Sequence, residues 1–137
     1  MEHLNEFIGN HWMLVLTFVI LASMLLSQII RGGANNVISS VQATQLINQH
    51  KGRFIDVRNR DEFSQGHIAD SKNIPLTELD EKINKIRQPD RPIILVCASG
   101  QRAQTAAIQF QEKGFTEVYV LKSGIQGWKM DQLPLFT

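Results

Sequence analysis

A strand, a tight loop and a helix follow one another without interruption in residues 93–114, and this unit constrains the fold most. The apolar run Ile93–Val96 leads directly into Cys97. After the loop, four apolar residues recur at helical spacing, namely Ala103, Ala106, Ala107 and Phe110. Gly114 then ends the helix as a carboxy-terminal cap does. A buried strand that feeds a helix in this way indicates a parallel α/β sheet.

The loop of this unit consists of six residues: Cys97, Ala98, Ser99, Gly100, Gln101 and Arg102. Its backbone N–H groups and the first turn of the helix are expected to favour an anion or a thiolate above the loop. We therefore expect Cys97 to be ionised more readily than an ordinary cysteine. Gly100 supplies backbone freedom, Ser99 a hydroxyl and Arg102 a permanent positive charge. A buried, inert core cysteine is the alternative that this pattern leaves open.

Other apolar runs alternate with helical patterns along the chain. Strands are expected at 37–38, 54–57, 72–74 and 118–121. A helix capped by Ser39 or Ser40 is expected through about Gln49 and should bury Val41, Leu46 and Ile47. Thr77 with Asp80 resembles the start of another helix, burying Leu79, Ile83 and Ile86. The predicted fold is α/β, a parallel sheet with helices on both faces.

Asp56 and Arg58 stand near the carboxyl end of the second predicted strand. In an open parallel α/β sheet, ligands bind beyond the carboxyl ends of the strands. Both residues are therefore placed to frame the Cys97 loop. A structural ion pair or a cap is the alternative role for them.

Residues 12–30 form an uncharged run in which the polar residues are Thr17, Ser23, Ser27 and Gln28. As a helix this run would be about 28 Å long, close to the roughly 30 Å hydrocarbon core of a bilayer. A cleaved signal sequence is the alternative, but residues 1–11 contain no Lys or Arg and no small-x-small cleavage site follows. We therefore predict a short extracytoplasmic amino terminus at 1–11, a transmembrane helix at 12–30, a linker at 31–36 and one domain at 37–137.

Charge and composition suggest where such a protein resides and what it binds. All 14 Lys and Arg residues lie from Arg31 onward, so the positive-inside tendency predicts an inner-membrane protein with a cytoplasmic domain. A single cysteine cannot form an internal disulfide, which fits a reducing compartment. The sequence contains no basic stripe with interleaved aromatic residues, so it predicts no nucleic-acid partner. Four scattered histidines show no ligand spacing, so no metal or other cofactor is expected.

Several short motifs occur in a fixed order through residues 56–128. Those before the cysteine are Asp56, Val57 and Arg58, then Glu62, Phe63, Gly66, His67 and Ile68, then Asn73, Ile74 and Pro75. Those after the Cys97 loop are Gly114, Phe115, residues 118–121, Gly124 and Trp128. In these motifs the chain after residue 36 resembles a single rhodanese domain. Rhodanese domains usually have two consecutive glycines near the end, and this chain has Ser123 and Gly124 at that place.

The resemblance implies a sulfurtransferase in which Cys97 takes sulfur from a small donor, such as thiosulfate, or from a protein persulfide. Because the chain has no second cysteine, the resulting persulfide would pass its sulfur to an external thiol or another nucleophile. Asp56 and Arg58 would then be supporting residues, and His67 would belong to a structural motif rather than act as a base. The active-site loop of rhodaneses corresponds here to residues 97–102.

Two other functions stay open at this point. One is a membrane-tethered module that binds or scaffolds a partner, for example a membrane protein, with little turnover. The other is phosphoryl transfer, because cysteine phosphatases also hold an oxyanion in a loop between a cysteine and an arginine. Their loop is one residue longer than the four residues between Cys97 and Arg102, and a shorter loop suits a single sulfur better than a phosphate.

Overall fold

A computed structural model of the chain describes residues 2–31 and 36–137. The chain divides into two compact units, residues 1–33 and residues 34–137. Most of the linker predicted at 31–36 lies outside the described residues. Asn36 belongs to the larger unit, where its side-chain amide donates a hydrogen bond to the Val118 carbonyl at 3.0 Å.

The smaller unit consists of two helices, α1 (Glu2–Asn10) and α2 (Trp12–Arg31). Most of the large apolar side chains from Leu4 to Leu26 are exposed, with Phe18 at 72%. Among the described residues, no single helix meets the length and hydropathy expected of a membrane span, although α1 and Trp12–Ser27, bent by 86°, do so together. The transmembrane helix predicted at 12–30 is therefore not confirmed. Residues 2–10, predicted to be a short amino-terminal segment, are helical.

The larger unit is built on a parallel sheet of five strands. The strands are β1 (Val37–Ile38), β2 (Arg53–Asp56), β3 (Lys72–Asn73), β4 (Ile93–Val96) and β5 (Val118–Leu121). Their order across the sheet is β1-β5-β4-β2-β3, and every pairing is parallel. Parallel neighbours require crossover connections, which the helices supply. The predicted α/β fold with a parallel sheet is confirmed.

Helices connect these strands and cover the sheet. They are α3 (Ser40–His50), α4 (Arg60–Ser64), α5 (Leu79–Lys82), α6 (Gln101–Glu112) and α7 (Gly124–Met130), with short 3-10 turns at Leu76–Glu78 and Ile83–Lys85 on either side of α5. The face of α6 predicted from helical spacing is buried, from Ala103 to Phe110. Gly114 follows α6 with a left-handed φ of 91°.

Two apolar clusters, one on each face of the sheet, form the core. Ile93, Leu95 and Cys97 pack with α6 on one face. The alternating residues Ile94 and Val96 pack on the other face with α3 and α7. Because successive strand residues point to opposite faces, one continuous apolar run serves both clusters. Helices on both faces of the sheet are thus confirmed.

Two local details differ from the sequence-based expectation. Ser39 caps α3 through a capping box with Gln42, but Val41 is 66% exposed. The buried face of α3 is set by Ser40 and Ala43 instead, with Leu46 and Ile47 packed at its edge. Thr77 lies inside a 3-10 turn and does not cap α5, which starts at Leu79 without a side-chain cap.

Candidate functional site

Cys97 lies directly after β4, at the carboxyl edge of the sheet, and is 1% exposed. Its Sγ accepts a hydrogen bond from the backbone N–H of Gly100 at 2.9 Å. Gly100 has a φ of 105°, a backbone conformation that glycine adopts readily and other residues rarely do. With this conformation the loop turns back toward the sulfur. Burial fits an inert core cysteine, and the one loop N–H directed at Sγ is a contact that would favour negative charge on the sulfur.

The remaining loop residues lead into α6. Ala98 is half-buried, whereas Ser99 and Gln101 are exposed. Gln101 begins α6, so the first turn of this helix starts four residues after Cys97. The partial positive charge of that turn lies on the same side of the sheet edge as Cys97.

The start of α7 is hydrogen-bonded to the backbone of the Cys97 loop. The Ile125 N–H donates to the Cys97 carbonyl at 2.8 Å, and the Gln126 N–H donates to the Ala98 carbonyl at 3.1 Å. A Cβ atom on Gly124 would lie 2.0 Å from the Cys97 carbonyl oxygen, and Gly124 has a φ of 54°. Only glycine fits this contact. From sequence alone Gly124 was part of the family resemblance, and its contact with the loop was not foreseen.

Arg102 is paired with Glu62 of α4. Its Nη1 and Nη2 atoms donate to the two Glu62 carboxylate oxygens at 2.8 and 3.0 Å, and both side chains are about one-third exposed. The pKa of Glu62 is lowered, mainly by the hydrogen bond from Arg102, and burial partly offsets this shift. The same hydrogen bond raises the pKa of Arg102, and burial opposes this shift.

Sequence reasoning missed the pairing of Glu62 with Arg102. Glu62 belongs to the motifs that carry the family resemblance, and in the structure it occupies the third position of α4 and closes a capping box with Asn59. Nothing in the local sequence indicates a partner 40 residues away. The pairing depends on the meeting of α4 and the Cys97 loop at the sheet edge.

Asp56 and Arg58 form a buried ion pair beside this loop. The Arg58 Nε and Nη2 atoms donate to the Asp56 carboxylate at 3.0 and 2.8 Å, and Arg58 and Asp56 are 5% and 1% exposed. Asp56 lies opposite Val96, the residue before Cys97. Arg58 Nη2 also donates to the Gly66 carbonyl at 2.8 Å. The structure thus places both residues in the structural arrangement that the sequence left as an alternative.

His67 is held by local contacts. Its Nδ1 atom lies 3.0 Å from the Phe63 carbonyl oxygen, and its ring stacks on Phe63 at 3.9 Å between ring centroids. Its backbone exchanges two hydrogen bonds of 2.8 Å with Phe136 near the carboxyl terminus. Within the residues described, no group of three or more His, Cys, Asp or Glu side chains is gathered to hold a metal ion.

Comparisons with known proteins agree with this architecture. The model of the rhodanese-like domain family matches residues 39–131. The uncharacterized protein YibN of Escherichia coli K12 is 34% identical, over 98% of this chain and 97% of its own length. Thiosulfate sulfurtransferase GlpE of Coxiella burnetii is 32% identical, over 67% of this chain and 85% of its own. A rhodanese-related protein from Thermoplasma volcanium superposes with a TM-score of 0.64 at 30% identity, covering 74% of this chain and 97% of its own.

Proposed function

The chain belongs to the rhodanese-like domain family, and on that premise we propose that it is a sulfurtransferase that carries sulfane sulfur on Cys97. The observation that carries this proposal is the Gly100 N–H, 2.9 Å from Sγ, in a loop at the carboxyl edge of the sheet. A relative that shares 32% identity is named thiosulfate sulfurtransferase, which supports the same reaction class.

In the first half-reaction, the Cys97 thiolate attacks the outer sulfur of thiosulfate or of a persulfide on a donor protein. A sulfur–sulfur bond forms at Cys97 while the sulfur–sulfur bond of the donor breaks. With thiosulfate, sulfite leaves with the electron pair of the broken bond. Cys97 then carries a persulfide with a negative terminal sulfur, which loop N–H groups and the Arg102 charge stabilise.

In the second half-reaction, an external nucleophile attacks the terminal sulfur. A cellular thiolate would become a persulfide, and cyanide would become thiocyanate, while the Cys97 thiolate leaves and is regenerated. The acceptor is external because Cys97 is the sole cysteine of the chain. Since Cys97 is 1% exposed, donor and acceptor reach the sulfur only after a local movement exposes Sγ.

A thiocyanate assay on the full chain in mild detergent tests this scheme. With thiosulfate and cyanide as substrates, the parent should form thiocyanate with parallel double-reciprocal lines, the pattern of a ping-pong reaction. Cys97→Ser should reduce the rate to background while leaving the larger unit folded, as its cooperative thermal unfolding shows. Turnover by Cys97→Ser near the parent rate would contradict the mechanism.

We also propose that the smaller unit anchors the protein in a membrane. Residues 12–30 carry no charge, and most large apolar side chains from Trp12 to Leu26 are exposed. Three hydroxyl side chains of α2 donate to backbone carbonyls of the same helix, Thr17 to Met13, Ser23 to Ile20 and Ser27 to Met24. In the bilayer core no water is present to bind polar groups, so these groups must form hydrogen bonds within the protein.

The proposed location is the inner membrane, with the amino terminus outside and the rhodanese-like domain in the cytoplasm. The basis is the charge bias, since every Lys and Arg lies from Arg31 onward. A reporter that is active only in the cytoplasm, fused after Thr137, should be active. Activity of a periplasm-specific reporter at the same position would reverse the proposed orientation.

A membrane-tethered binding module with little turnover is the second candidate. Two observations favour it: Cys97 is almost fully buried, and Arg102 is already paired with Glu62. Such a module would present the domain to a partner, for example a membrane protein, without rapid exchange of small anions. The thiocyanate assay separates the two candidates, because a binding module would give rates near background for parent and Cys97→Ser alike.

A further inference from the structure

A cavity lies at the amino edge of the sheet, the edge opposite the Cys97 loop. Its volume is about 510 Å³, and its lining includes Ile47, Lys51, Arg53, Phe54, Asp70 and Arg91. Arg53 begins β2 opposite Ile93, and Cys97 follows four residues after Ile93. At about 3.3 Å per strand residue, Arg53 and Cys97 are about 13 Å apart along the strand direction. The cavity is therefore separate from the proposed catalytic site.

Positive charge dominates this edge. A neighbouring cavity of about 290 Å³ shares Arg53 and Asp70 with the first and adds three more cations, Lys72, Lys85 and Arg87. Together the two cavities are lined by six cationic side chains and one carboxylate, Asp70. In the part of the chain that the structure describes, none of these six cations has a carboxylate within 4.0 Å.

Arg53 stands between the two cavities with part of its hydrogen-bonding capacity unused. Its Nη2 atom donates to the Gln88 carbonyl at 3.0 Å, but its buried Nε atom has no acceptor among the described residues. Burial lowers the pKa of Arg53, and the positive charge of Arg91 lowers it further. An anion between these two guanidinium groups would supply acceptors and would offset their repulsion.

The backbone around the first cavity is also unusual. Lys51, Asp70 and Gln88 have left-handed φ values of 55°, 59° and 63°, and all three line this cavity. They are three of the five non-glycine residues with positive φ in the described ranges. Lys51 adopts its conformation as the cap that ends α3, whereas Asp70 and Gln88 lie outside helices, where such conformations are concentrated at ligand sites in many proteins.

We propose that this cavity binds a small phosphate-bearing molecule that also has an apolar part. Guanidinium groups bind phosphate oxygens in pairs, so Arg53 and Arg91 would hold the phosphate. Ile47 and Phe54 would contact the apolar part, and the volume suits a ligand of nucleotide size. A soluble nucleotide and the headgroup region of a phospholipid share this chemistry.

Calorimetric titration of the full chain in a non-ionic detergent tests the proposal with three probes. ADP represents a nucleotide, dibutanoyl phosphatidic acid represents a phospholipid with its glycerol phosphate and the start of its acyl chains, and inorganic phosphate represents the anion alone. We expect saturable binding of at least one organic phosphate, more tightly than inorganic phosphate. Stronger binding of ADP would identify a nucleotide source, and stronger binding of dibutanoyl phosphatidic acid would identify a phospholipid source.

Charge-neutral variants show whether binding occurs in this cavity. Arg53→Gln and Arg91→Gln should each weaken binding of the preferred probe roughly tenfold, because each removes a charge-assisted contact. Lys113→Gln is the matched control, since it removes an exposed cation that does not line either cavity. Thermal unfolding of each variant checks that it is folded.

Three results would overturn the proposal. The first is a lack of binding by all three probes, and the second is equal weakening in Arg91→Gln and Lys113→Gln. The third is binding of inorganic phosphate as tight as that of both organic phosphates. None of these outcomes depends on sulfur transfer at Cys97.

Discussion

Replacement of Gly124 by alanine should disrupt the Cys97 loop more than any other single-methyl change. The added Cβ would lie 2.0 Å from the Cys97 carbonyl oxygen and 2.9 Å from the Ala98 carbonyl carbon. Neither contact involves a flexible side chain, so the backbone of the loop or of α7 must move. The hydrogen bonds from Ile125 and Gln126 to these carbonyls would then be lost or weakened.

The expected magnitude combines two contributions. The left-handed backbone, with a φ of 54°, costs a residue with a Cβ about 1 to 2 kcal/mol relative to glycine. Two weakened backbone hydrogen bonds contribute about 1 kcal/mol each. We therefore expect Gly124→Ala to lower the free energy of unfolding by about 3 to 4 kcal/mol, a large share of the roughly 5 to 15 kcal/mol that separates the folded and unfolded states of an ordinary domain.

Gly114→Ala is the matched control. Gly114 also has a positive φ, of 91°, but a Cβ there would meet nothing within 4 Å. This variant should show only the backbone contribution, about 1 to 2 kcal/mol. Urea unfolding of both variants and the parent, followed by circular dichroism, measures the difference. If Gly124→Ala were no less stable than Gly114→Ala, the close contact between α7 and the loop would be refuted.

Three further predictions concern the ion pairs and the amino-terminal unit. Asp56→Asn should destabilise the domain by about 3 to 5 kcal/mol in urea unfolding, because it leaves the Arg58 charge buried without a partner; a change below about 1 kcal/mol would contradict this. The pKa of Glu62 is lowered by Arg102, so its contribution is present above the ordinary value of 4.5 and is lost as pH falls through the lowered pKa. Glu62→Gln should therefore be less stable than the parent at neutral pH, by under about 1 kcal/mol because the pair is exposed, and equally stable in strong acid; a difference that is independent of pH would contradict it. Removal of residues 1–33 should leave a folded domain with the parent's thiocyanate rate, and aggregation would show that the smaller unit is part of the core.

The sequence was most informative where one periodic pattern decides the structure. The apolar run Ile93–Val96 predicted β4, and the spacing from Ala103 to Phe110 predicted the buried face of α6. Val41 was wrongly expected to be buried, because α3 offers apolar residues on more than one face and only tertiary packing selects among them. Hydropathy likewise does not indicate the break between α1 and α2 at His11.

Local sequence patterns could not predict contacts between residues far apart in the chain. Glu62 meets Arg102 across 40 residues, and the order of the strands brings them together. The cations of the amino edge are spread from Lys51 to Arg91, so they form no basic run in the sequence. They become a cluster when β2, β3 and the turns after α3 and α5 meet at one edge of the sheet. A charge pattern read along the chain misses such a cluster.

The most direct test of sulfur transfer is the intact mass of the protein after incubation with thiosulfate and removal of the excess. The proposed mechanism predicts a gain of one sulfur, about 32 Da, that a reducing thiol reverses and that Cys97→Ser lacks. An unchanged mass with thiosulfate and with other sulfane donors, or the same gain in Cys97→Ser, would contradict Cys97 as the sulfur carrier.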